Sequence, residues 1–424
     1  MTAVTKAAVP ERDYVRRREA SNGWVNLSSS PIFTVLLLPV LAVGSIGLAQ
    51  LLSVVFACAA LAVTFFTSRT ATGSTTCALA ALAVAAANVH LWRWSGTVME
   101  ASLGYLSVVV IAAATLRLMG ARRSVWEFVL LGGLIGLGTQ VRFEIGIFLP
   151  LAIAALMFSR QAGLRQIAAI FGGFVVAVMP WIAFATAYFG SPIPTTFAAK
   201  TTGLHLVNSV ITKSLGTIVV TGFGVSMLIA AIAIALAARS DEGRERLREY
   251  ALPILFLIGW PIALFAFYYL KTDELQSPGR YFLPGMATWP IALGLLIAAV
   301  PRKQQNRPWL VAALAGCLAV GLVINATSVR PVLNVFNAGY RTAMSHGAEF
   351  LREHCRPGDK ALIWSDIGVM SWSLKTSLPA SDRPTSCRAS GSAATSSPTS
   401  NNCNYRCPRA TRTTALPEPA NSII

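Results

Sequence analysis

A succession of long apolar segments dominates the chain between residues 32 and 325. A helix needs about 20 mainly apolar residues to cross a bilayer, and several segments reach or approach this length. Only 12% of the 424 residues are charged, whereas globular domains carry roughly 25%. The segments are 32–46, 51–66, 77–89, 98–118, 127–139, 145–158, 167–189, 216–238, 251–270, 281–300 and 309–325. The sequence therefore predicts an all-α polytopic membrane bundle with about 10–11 apolar segments, of which the short ones are tilted, re-entrant or shielded by neighbours.

The distribution of positive charge predicts the topology. A formal net charge of +17 is compatible with nucleic-acid binding, but the cations lie in short loops, where they orient a protein in the membrane. Membrane lipid is thus an expected partner and nucleic acid is not. The basic loops contain Arg69, Arg117 to Arg123, Arg160 with Arg165, Arg239 to Arg248, and Arg302 to Arg307. The positive-inside rule places these loops in the cytoplasm. The loops 90–96, 140–144, 190–214 and 271–279, and everything after Ala326, are then external, whereas segment 32–46 either spans the membrane or dips into it from outside.

The apolar region is flanked by polar sequence, which predicts four parts. Residues 1–30 are a polar N-terminal segment, and residues 31–326 form the membrane domain. Residues 327–378 read as a small, incomplete external α/β domain, with an amphipathic helix over 338–355 and a short strand over 361–364 that leads to Asp366. Residues 379–424 are rich in Ser, Thr, Pro and Asn, and this composition predicts a disordered tail.

One external loop stands out by its composition. The sequence GSPIPTTFAAKT (190–201) contains Pro192 and Pro194, which prevent a regular helix, and it ends with Lys200 and Thr201. A turn-rich loop with one fixed charge at the membrane surface is a plausible place for chemistry. An ordinary connecting loop explains the same residues equally well.

Four further ionisable residues lie near the ends of the apolar segments, and each has a simpler explanation. Glu100 lies near the external start of segment 98–118, where it either has a partner or a water-filled cavity or is solvated near a helix N-terminus. Arg142 and Glu144 are two residues apart, so they form a site, pair with each other, or contact lipid headgroups. Arg280 either binds a phosphate through its guanidinium or extends towards the interface. Together with Lys200 and Asp366, all four fall on the external side of the predicted topology. Several aromatic residues lie at the same boundary, although an aromatic belt accounts for them as well; they are Tyr188, Phe197, Tyr268, Tyr269 and Tyr281.

Six short motifs occur in an order that resembles a known family. They are SSPIFTVLLLPVLAVG (29–44), WSGTVMEASLGYL (94–106), VRFEIG (141–146), YFGSPIPTTFAAKT (188–201), GRYFLP (279–284) and SDIG (365–368). This series resembles the GT-C-type polytopic glycosyltransferases of bacterial envelopes, in particular their arabinofuranosyltransferase-like and mannosyltransferase-like members. The resemblance implies transfer of a sugar from a polyprenyl-phosphate donor to an acceptor hydroxyl at the external face of the bacterial plasma membrane. The acceptor would be an envelope glycan, lipid or protein.

The resemblance also implies roles for individual residues. Lys200 and Arg280 match basic positions that hold the donor phosphate, and Arg142 with Glu144 resembles an Arg–Glu element of the family, with Phe143 where proline is common. We expect Arg142 and Tyr281 to contribute to the same phosphate site as Lys200 and Arg280. Asp366 lies in the domain that helps to bind the acceptor. Glu100 and Glu144 are the carboxylates available as substitutes for the general base, and the resemblance assigns neither of them to that role.

The sequence departs from the family at its beginning. Family members carry a first span and an external loop with aspartates upstream of the segment that resembles 29–44, whereas here only Glu11, Asp13 and Glu19 are acidic, and Asp13 is at best a remnant. We therefore expect a scaffold that has lost its catalytic loop and transfers sugar poorly. A non-catalytic polyprenyl-phosphate-binding relative and a transporter or flippase are the alternatives. The sequence indicates no cofactor. The spacing of the seven cysteines specifies no metal site, and a divalent metal is left open.

Overall fold

A computed structural model provides the fold of the chain. It describes residues 30–43, 45–120, 124–193, 216, 219–271, 278–301, 308–324, 326–327 and 346. The chain divides into two compact units, Met1–Leu333 and Asn334–Ile424, and the described residues belong almost entirely to the first. The polar segment 1–29, the Lys200 loop from residue 194, the predicted external α/β domain and the predicted tail lie outside the described residues, apart from single positions.

Thirteen α-helices form the described part of the first unit. They are α1 (Pro31–Ala42), α2 (Ile46–Thr72), α3 (Thr75–Ala86), α4 (Val89–Ser95), α5 (Ala101–Met119), α6 (Val125–Val141), α7 (Phe148–Phe158), α8 (Leu164–Phe189), α9 (Gly224–Ala238), α10 (Asp241–Lys271), α11 (Pro278–Met286), α12 (Trp289–Ala299) and α13 (Pro308–Ile324). A 3₁₀ turn, Phe143–Ile147, connects α6 to α7, and a π-helical segment, Val219–Phe223, precedes α9. The described residues contain no β-strand. Each apolar segment of the sequence contains helix, which confirms the all-α membrane bundle.

Five helical segments are long and apolar enough to cross a membrane. They are Gly47–Thr72, Ala101–Met119, Leu164–Phe189, Asp241–Lys271 and Gly279–Ala299, and the last combines α11 with α12. Helices α3 and α4 are bent by 60° relative to each other and together form a sixth candidate, either as a broken span or as a re-entrant loop. Helices α1, α6, α7 and α9 are apolar but shorter. The chain is therefore a multi-pass membrane protein.

Local sequence signals set several helix ends. The Ser45 hydroxyl accepts a hydrogen bond from the Leu48 amide at the start of α2, which ends at Gly73 with a φ of 64°. Ser124 and Glu127 form a capping box at the start of α6. Helix α10 begins at Asp241, ten residues before the apolar segment that predicts it. Ion pairs between residues three and four positions apart stabilise this polar extension; they are Arg244–Asp241 and Arg246–Glu242.

Helix α12 forms the centre of the bundle, and α8 lies at its edge. All residues of α12 from Pro290 to Ala299 are buried, and the helix packs against α2, α3, α9 and α10. Helix α8 packs mainly against α6 and exposes most of its apolar surface. Glycines allow the two helices to approach closely, because a Cβ atom at Gly132 would lie 1.9 Å from the Ile170 carbonyl oxygen. At Gly173 it would lie 2.0 Å from the Val129 carbonyl oxygen. Small residues at such contacts are typical of helix pairs in membranes.

Substitution of Gly173 by alanine is expected to weaken the contact between α6 and α8. The added methyl group meets backbone rather than a movable side chain, so the helices must separate, at a cost of about 1–3 kcal/mol. Gly172→Ala is the matched control, because a Cβ atom there meets nothing within 4 Å. Thermal unfolding in detergent should show a lower midpoint for Gly173→Ala and an unchanged or higher one for Gly172→Ala. Equal midpoints would contradict the close packing.

Candidate functional site

Five residues from separate elements meet at one end of the bundle. Glu100 immediately precedes α5, Arg142 follows α6, and Glu144 lies in the 3₁₀ turn. Tyr268 lies in the last turn of α10, and Arg280 in the first turn of α11. We refer to these five residues as the charged cluster. Each lies at or near a helix end, because the segments that carry them turn back at the edge of the apolar region.

Arg142 connects the members of the charged cluster. Its Nε donates to Oε1 of Glu144 over 2.5 Å, and its Nη2 donates to the Tyr268 hydroxyl over 3.2 Å. Its Nη1 lies 3.4 Å from Oε1 of Glu100 and 3.3 Å from the carbonyl oxygen of Arg280. Tyr268 in turn donates its hydroxyl proton to Oε1 of Glu144 over 2.6 Å. Each of the three nitrogens of the guanidinium therefore has a partner within the protein.

The side chain of Arg280 pairs with the Glu100 carboxylate, which Arg142 also approaches. Its Nη2 donates to both carboxylate oxygens of Glu100, over 2.8 and 2.9 Å. Its Nε is buried and has no hydrogen-bond partner in the described structure. The side chain of Arg280 is 23% exposed, whereas Arg142 is only 5% exposed. Of the two guanidinium groups, that of Arg280 is the more accessible to a ligand.

Opposite charges balance within the cluster. Two carboxylates face two guanidinium groups, and Glu100 and Glu144 are only 8% and 6% exposed. Burial raises the pKa of the Glu100 carboxyl, but Arg280 and Arg142 outweigh this effect and hold its pKa below its usual value. Burial alone would lower the pKa of the Arg142 guanidinium. Glu144, Tyr268 and Glu100 raise this pKa by more than burial lowers it, so it lies above its usual value. Glu100 and Arg142 therefore carry their charges at neutral pH, and removing one of these charges leaves an opposite charge buried without compensation.

Two neighbouring residues complete the surroundings of the cluster. The ring of Tyr281 lies 5.4 Å from the Arg142 guanidinium carbon and 5.9 Å from that of Arg280, which are cation–π distances. Gly104 leaves room for the stem of Arg142, because a Cβ atom there would lie 2.9 Å from Cδ of Arg142. The Tyr281 ring thus lies near both guanidinium groups, and Gly104 accommodates the aliphatic stem of Arg142.

The cluster contains several, but not all, of the residues that the sequence singles out. Glu100, Arg142, Glu144, Tyr268 and Arg280 are its members and Tyr281 lies beside it, whereas Lys200, Asp366 and Asp13 lie outside the described residues.

The structure also decides between the simpler explanations for these residues. The explanation of Glu100 as a solvated carboxylate is wrong, because the side chain is buried against two guanidinium groups. Arg280 is mostly buried and pairs with Glu100. Arg142 and Glu144 do pair with each other, although each also has further partners. Tyr268 is not a belt residue, because its hydroxyl is buried between Arg142 and Glu144.

A cavity of about 700 Å³ lies at the opposite end of α5 from the charged cluster. Arg117, Phe66, Ser159 and Tyr250 are among the residues that line it. Arg117 lies 17 positions after Glu100 along α5, which corresponds to about 25 Å at 1.5 Å per residue. Arg117 is exposed and pairs with Glu127, which is half-buried. This cavity is therefore separate from the charged cluster. Within the described ranges, no three His, Cys, Asp or Glu side chains are grouped so that they could hold a metal ion.

The fold and the cluster together define a polytopic helical membrane protein with ionisable residues buried at one end of its bundle. Comparison by sequence matches no protein-family model and no curated protein. Comparison by structure matches ArnT from Cupriavidus metallidurans bound to undecaprenyl phosphate, with a TM-score of 0.51 and 16% sequence identity over 77% of this chain and 70% of that chain. ArnT from the same organism in the apo state matches with a TM-score of 0.48 at equal identity and coverage. The similarity to the lipid-bound structure shows that this chain has an ArnT-like membrane fold.

Proposed function

We propose that this protein is a membrane glycosyltransferase that takes its sugar from a polyprenyl-phosphate donor and transfers it to a hydroxyl at the external face of the bacterial plasma membrane. The observation that carries the proposal is the charged cluster, which places two carboxylates and two guanidinium groups at one end of a membrane bundle. The fold supports it, because the ArnT structure of similar fold contains undecaprenyl phosphate. The six sequence motifs, which resemble those of GT-C glycosyltransferases, support it as well. The described cluster residues lie at helix ends rather than in the middle of spans, so they give no support to the transporter alternative.

Arg280 is the proposed ligand of the donor phosphate. Its Nε lacks a partner among the described residues, and a guanidinium can bind two phosphate oxygens at once. Arg142 is already bound to Glu144, Glu100 and Tyr268, so its proposed contribution is positive charge near the phosphate rather than a direct bond. Tyr281 supports both guanidinium groups, and Lys200 is proposed as a second phosphate ligand on the grounds of the family resemblance.

Glu100 is the proposed general base, in the place that family members give to the aspartates of their first external loop. This proposal replaces the expectation of poor transfer, because Glu100 is buried beside Arg280 and Arg142. When Arg280 binds the phosphate, Glu100 loses part of the positive charge that lowers its pKa and becomes a stronger base. The acceptor hydroxyl then attacks the anomeric carbon of the donor sugar and transfers its proton to Glu100. The bond between the anomeric carbon and the phosphate oxygen breaks, and polyprenyl phosphate leaves with its additional negative charge stabilised by Arg280. Glu144, which is held by Arg142 and Tyr268, is the second candidate for the general base. Asp366 is proposed to contact the acceptor.

Replacement of Arg280 by glutamine is expected to lower the affinity for undecaprenyl phosphate at least tenfold. Hydrogen bonds to charged groups contribute about 1.5–3 kcal/mol each, and Arg280→Lys should bind with intermediate affinity because it keeps the charge but loses the fork geometry. The measurement is equilibrium binding of radiolabelled undecaprenyl phosphate to protein in nanodiscs. Arg117→Gln is the control, because that arginine lies at the other end of α5, and it should bind as the wild type does. Wild-type affinity in both Arg280 variants would rule out this site.

A further inference from the structure

We propose that His90 is a positioning residue that holds the start of α11, and with it Arg280, in place for the donor phosphate. This inference rests on the proposed function, since it assigns to His90 a part in forming the phosphate site. His90 belongs to α4, which contributes no member of the charged cluster. It does contact the residue next to Arg280, and it also contacts the π-helical segment that precedes α9.

The imidazole of His90 is fixed between two elements. Its Nε2 lies 2.8 Å from the Thr221 hydroxyl, within hydrogen-bond distance. Its opposite edge lies against the backbone of Gly279, because a Cβ atom there would be 2.4 Å from Nδ1 and 2.8 Å from Cε1 of His90. Only a glycine at position 279 therefore allows this contact. Nδ1 itself is buried and has no hydrogen-bond partner among the described residues, so the contact with α11 is one of shape rather than of polar bonding.

The N-terminus of α4 contacts both ends of α11. Asn88 caps α4 by accepting hydrogen bonds from the amides of His90 and Leu91 over 3.0 and 3.3 Å. Its side-chain amide nitrogen also lies 3.3 Å from the sulfur atom of Met286 at the last position of α11. Gly279 at the beginning of α11 lies against His90. The cap of α4 thus holds the nine-residue helix α11 at its first and last turns.

This contact determines where Arg280 lies. Arg280 directly follows Gly279, and its carbonyl oxygen accepts a hydrogen bond from Nη1 of Arg142. A shift of the Gly279 backbone therefore moves the Arg280 guanidinium relative to Glu100. Thr221 comes shortly after the Lys200 loop in the sequence. His90 consequently provides a direct mechanical connection between the segment that follows this loop and the phosphate-binding arginine.

Binding measurements on single and double variants test this role. His90→Ala removes the ring and should weaken binding of undecaprenyl phosphate about tenfold, because Arg280 is no longer held in position. In the double variant with Arg280→Lys, the two losses should not multiply, since coupled residues deviate from additivity. Leu91→Ala is the control, because it removes a buried side chain from α4 and leaves the His90 ring against Gly279, and it should keep the wild-type affinity. Losses that multiply, or an unchanged affinity in His90→Ala, would overturn the proposal.

A second measurement does not depend on the lipid. Gly279→Ala should displace α11 and accelerate amide hydrogen exchange over residues 279–283, and adding His90→Ala should reverse this effect by making room for the new methyl group. No rescue in the double variant would overturn the inference about His90 even if lipid binding depends on Arg280. The converse result is also informative. If hydrogen exchange is rescued but Arg280→Lys and Arg280→Gln bind the lipid as the wild type does, the contact between His90 and Gly279 is retained and the assignment of Arg280 as the phosphate ligand is overturned. Thermal unfolding of each variant shows that the protein is folded in both measurements.

Discussion

Replacement of Arg142 by methionine is expected to destabilise the membrane domain by about 3–5 kcal/mol, which is the typical cost of removing one partner from a buried ion pair. Methionine keeps most of the length of the stem that passes over Gly104. It removes, however, the group that binds Glu144, Glu100 and Tyr268. Among the described residues, Glu144 would then be buried with the Tyr268 hydroxyl as its one remaining partner. Thermal or denaturant unfolding in detergent measures the effect.

Two further variants distinguish loss of charge balance from loss of packing. Arg117→Met removes an exposed ion pair with Glu127, and it should change stability by no more than about 1 kcal/mol. Adding Glu144→Gln to Arg142→Met removes the uncompensated carboxylate, and it should recover a large part of the lost stability. If the double variant is no more stable than Arg142→Met alone, the cluster is not held together by its charges.

Replacement of Glu100 by glutamine is expected to lower the rate of sugar transfer by about 10²–10⁴-fold, the contribution that a positioned general base typically makes. Glutamine has nearly the same shape and can still accept a hydrogen bond from Arg280, but it cannot take the proton of the acceptor hydroxyl. The effect should appear in kcat, with undecaprenyl-phosphate affinity equal to or above that of the wild type, because Arg280 is released from its carboxylate partner. The measurement is transfer from a radiolabelled polyprenyl-phosphate sugar in membranes.

A carboxylate at the other end of the bundle provides the control for Glu100. Glu127 pairs with Arg117 and caps α6, so Glu127→Gln should reduce stability slightly and leave transfer unchanged. Glu144→Gln tests the second candidate for the base. If Glu144→Gln abolishes transfer while Glu100→Gln retains it, the base is Glu144 and the role assigned to Glu100 is wrong.

The sequence could predict the helices and most of the charged residues, for a simple physical reason. Apolar segments of this length must form hydrogen-bonded helices in a membrane. Ionisable residues next to such segments are costly to bury, so they are candidates for functional residues. This reasoning identifies Glu100, Arg142, Glu144 and Arg280. It does not show that they contact one another, because their meeting depends on how α5, α6, α10 and α11 pack.

Other features of the site leave little trace in the sequence. Tyr268 and Tyr269 are adjacent at the end of an apolar segment, and hydropathy alone cannot tell which of them faces the core. The polar start of α10 at Asp241 is missed because a search for apolar runs does not detect a helix stabilised by ion pairs on its surface. Gly104 and Gly279 are ordinary glycines in the sequence, and only the packed structure reveals that a side chain at either position would collide with Arg142 or His90.

The most direct test of the central claim is a cryo-EM structure of the protein in nanodiscs with undecaprenyl phosphate. The account predicts that the phosphate lies within hydrogen-bond distance of the Arg280 guanidinium, and that Arg280 has moved away from Glu100 while Arg142 still holds Glu144. A phosphate bound instead in the cavity beside Arg117, with the bonds between Arg280 and Glu100 intact, would contradict the assignment of the charged cluster as the donor site.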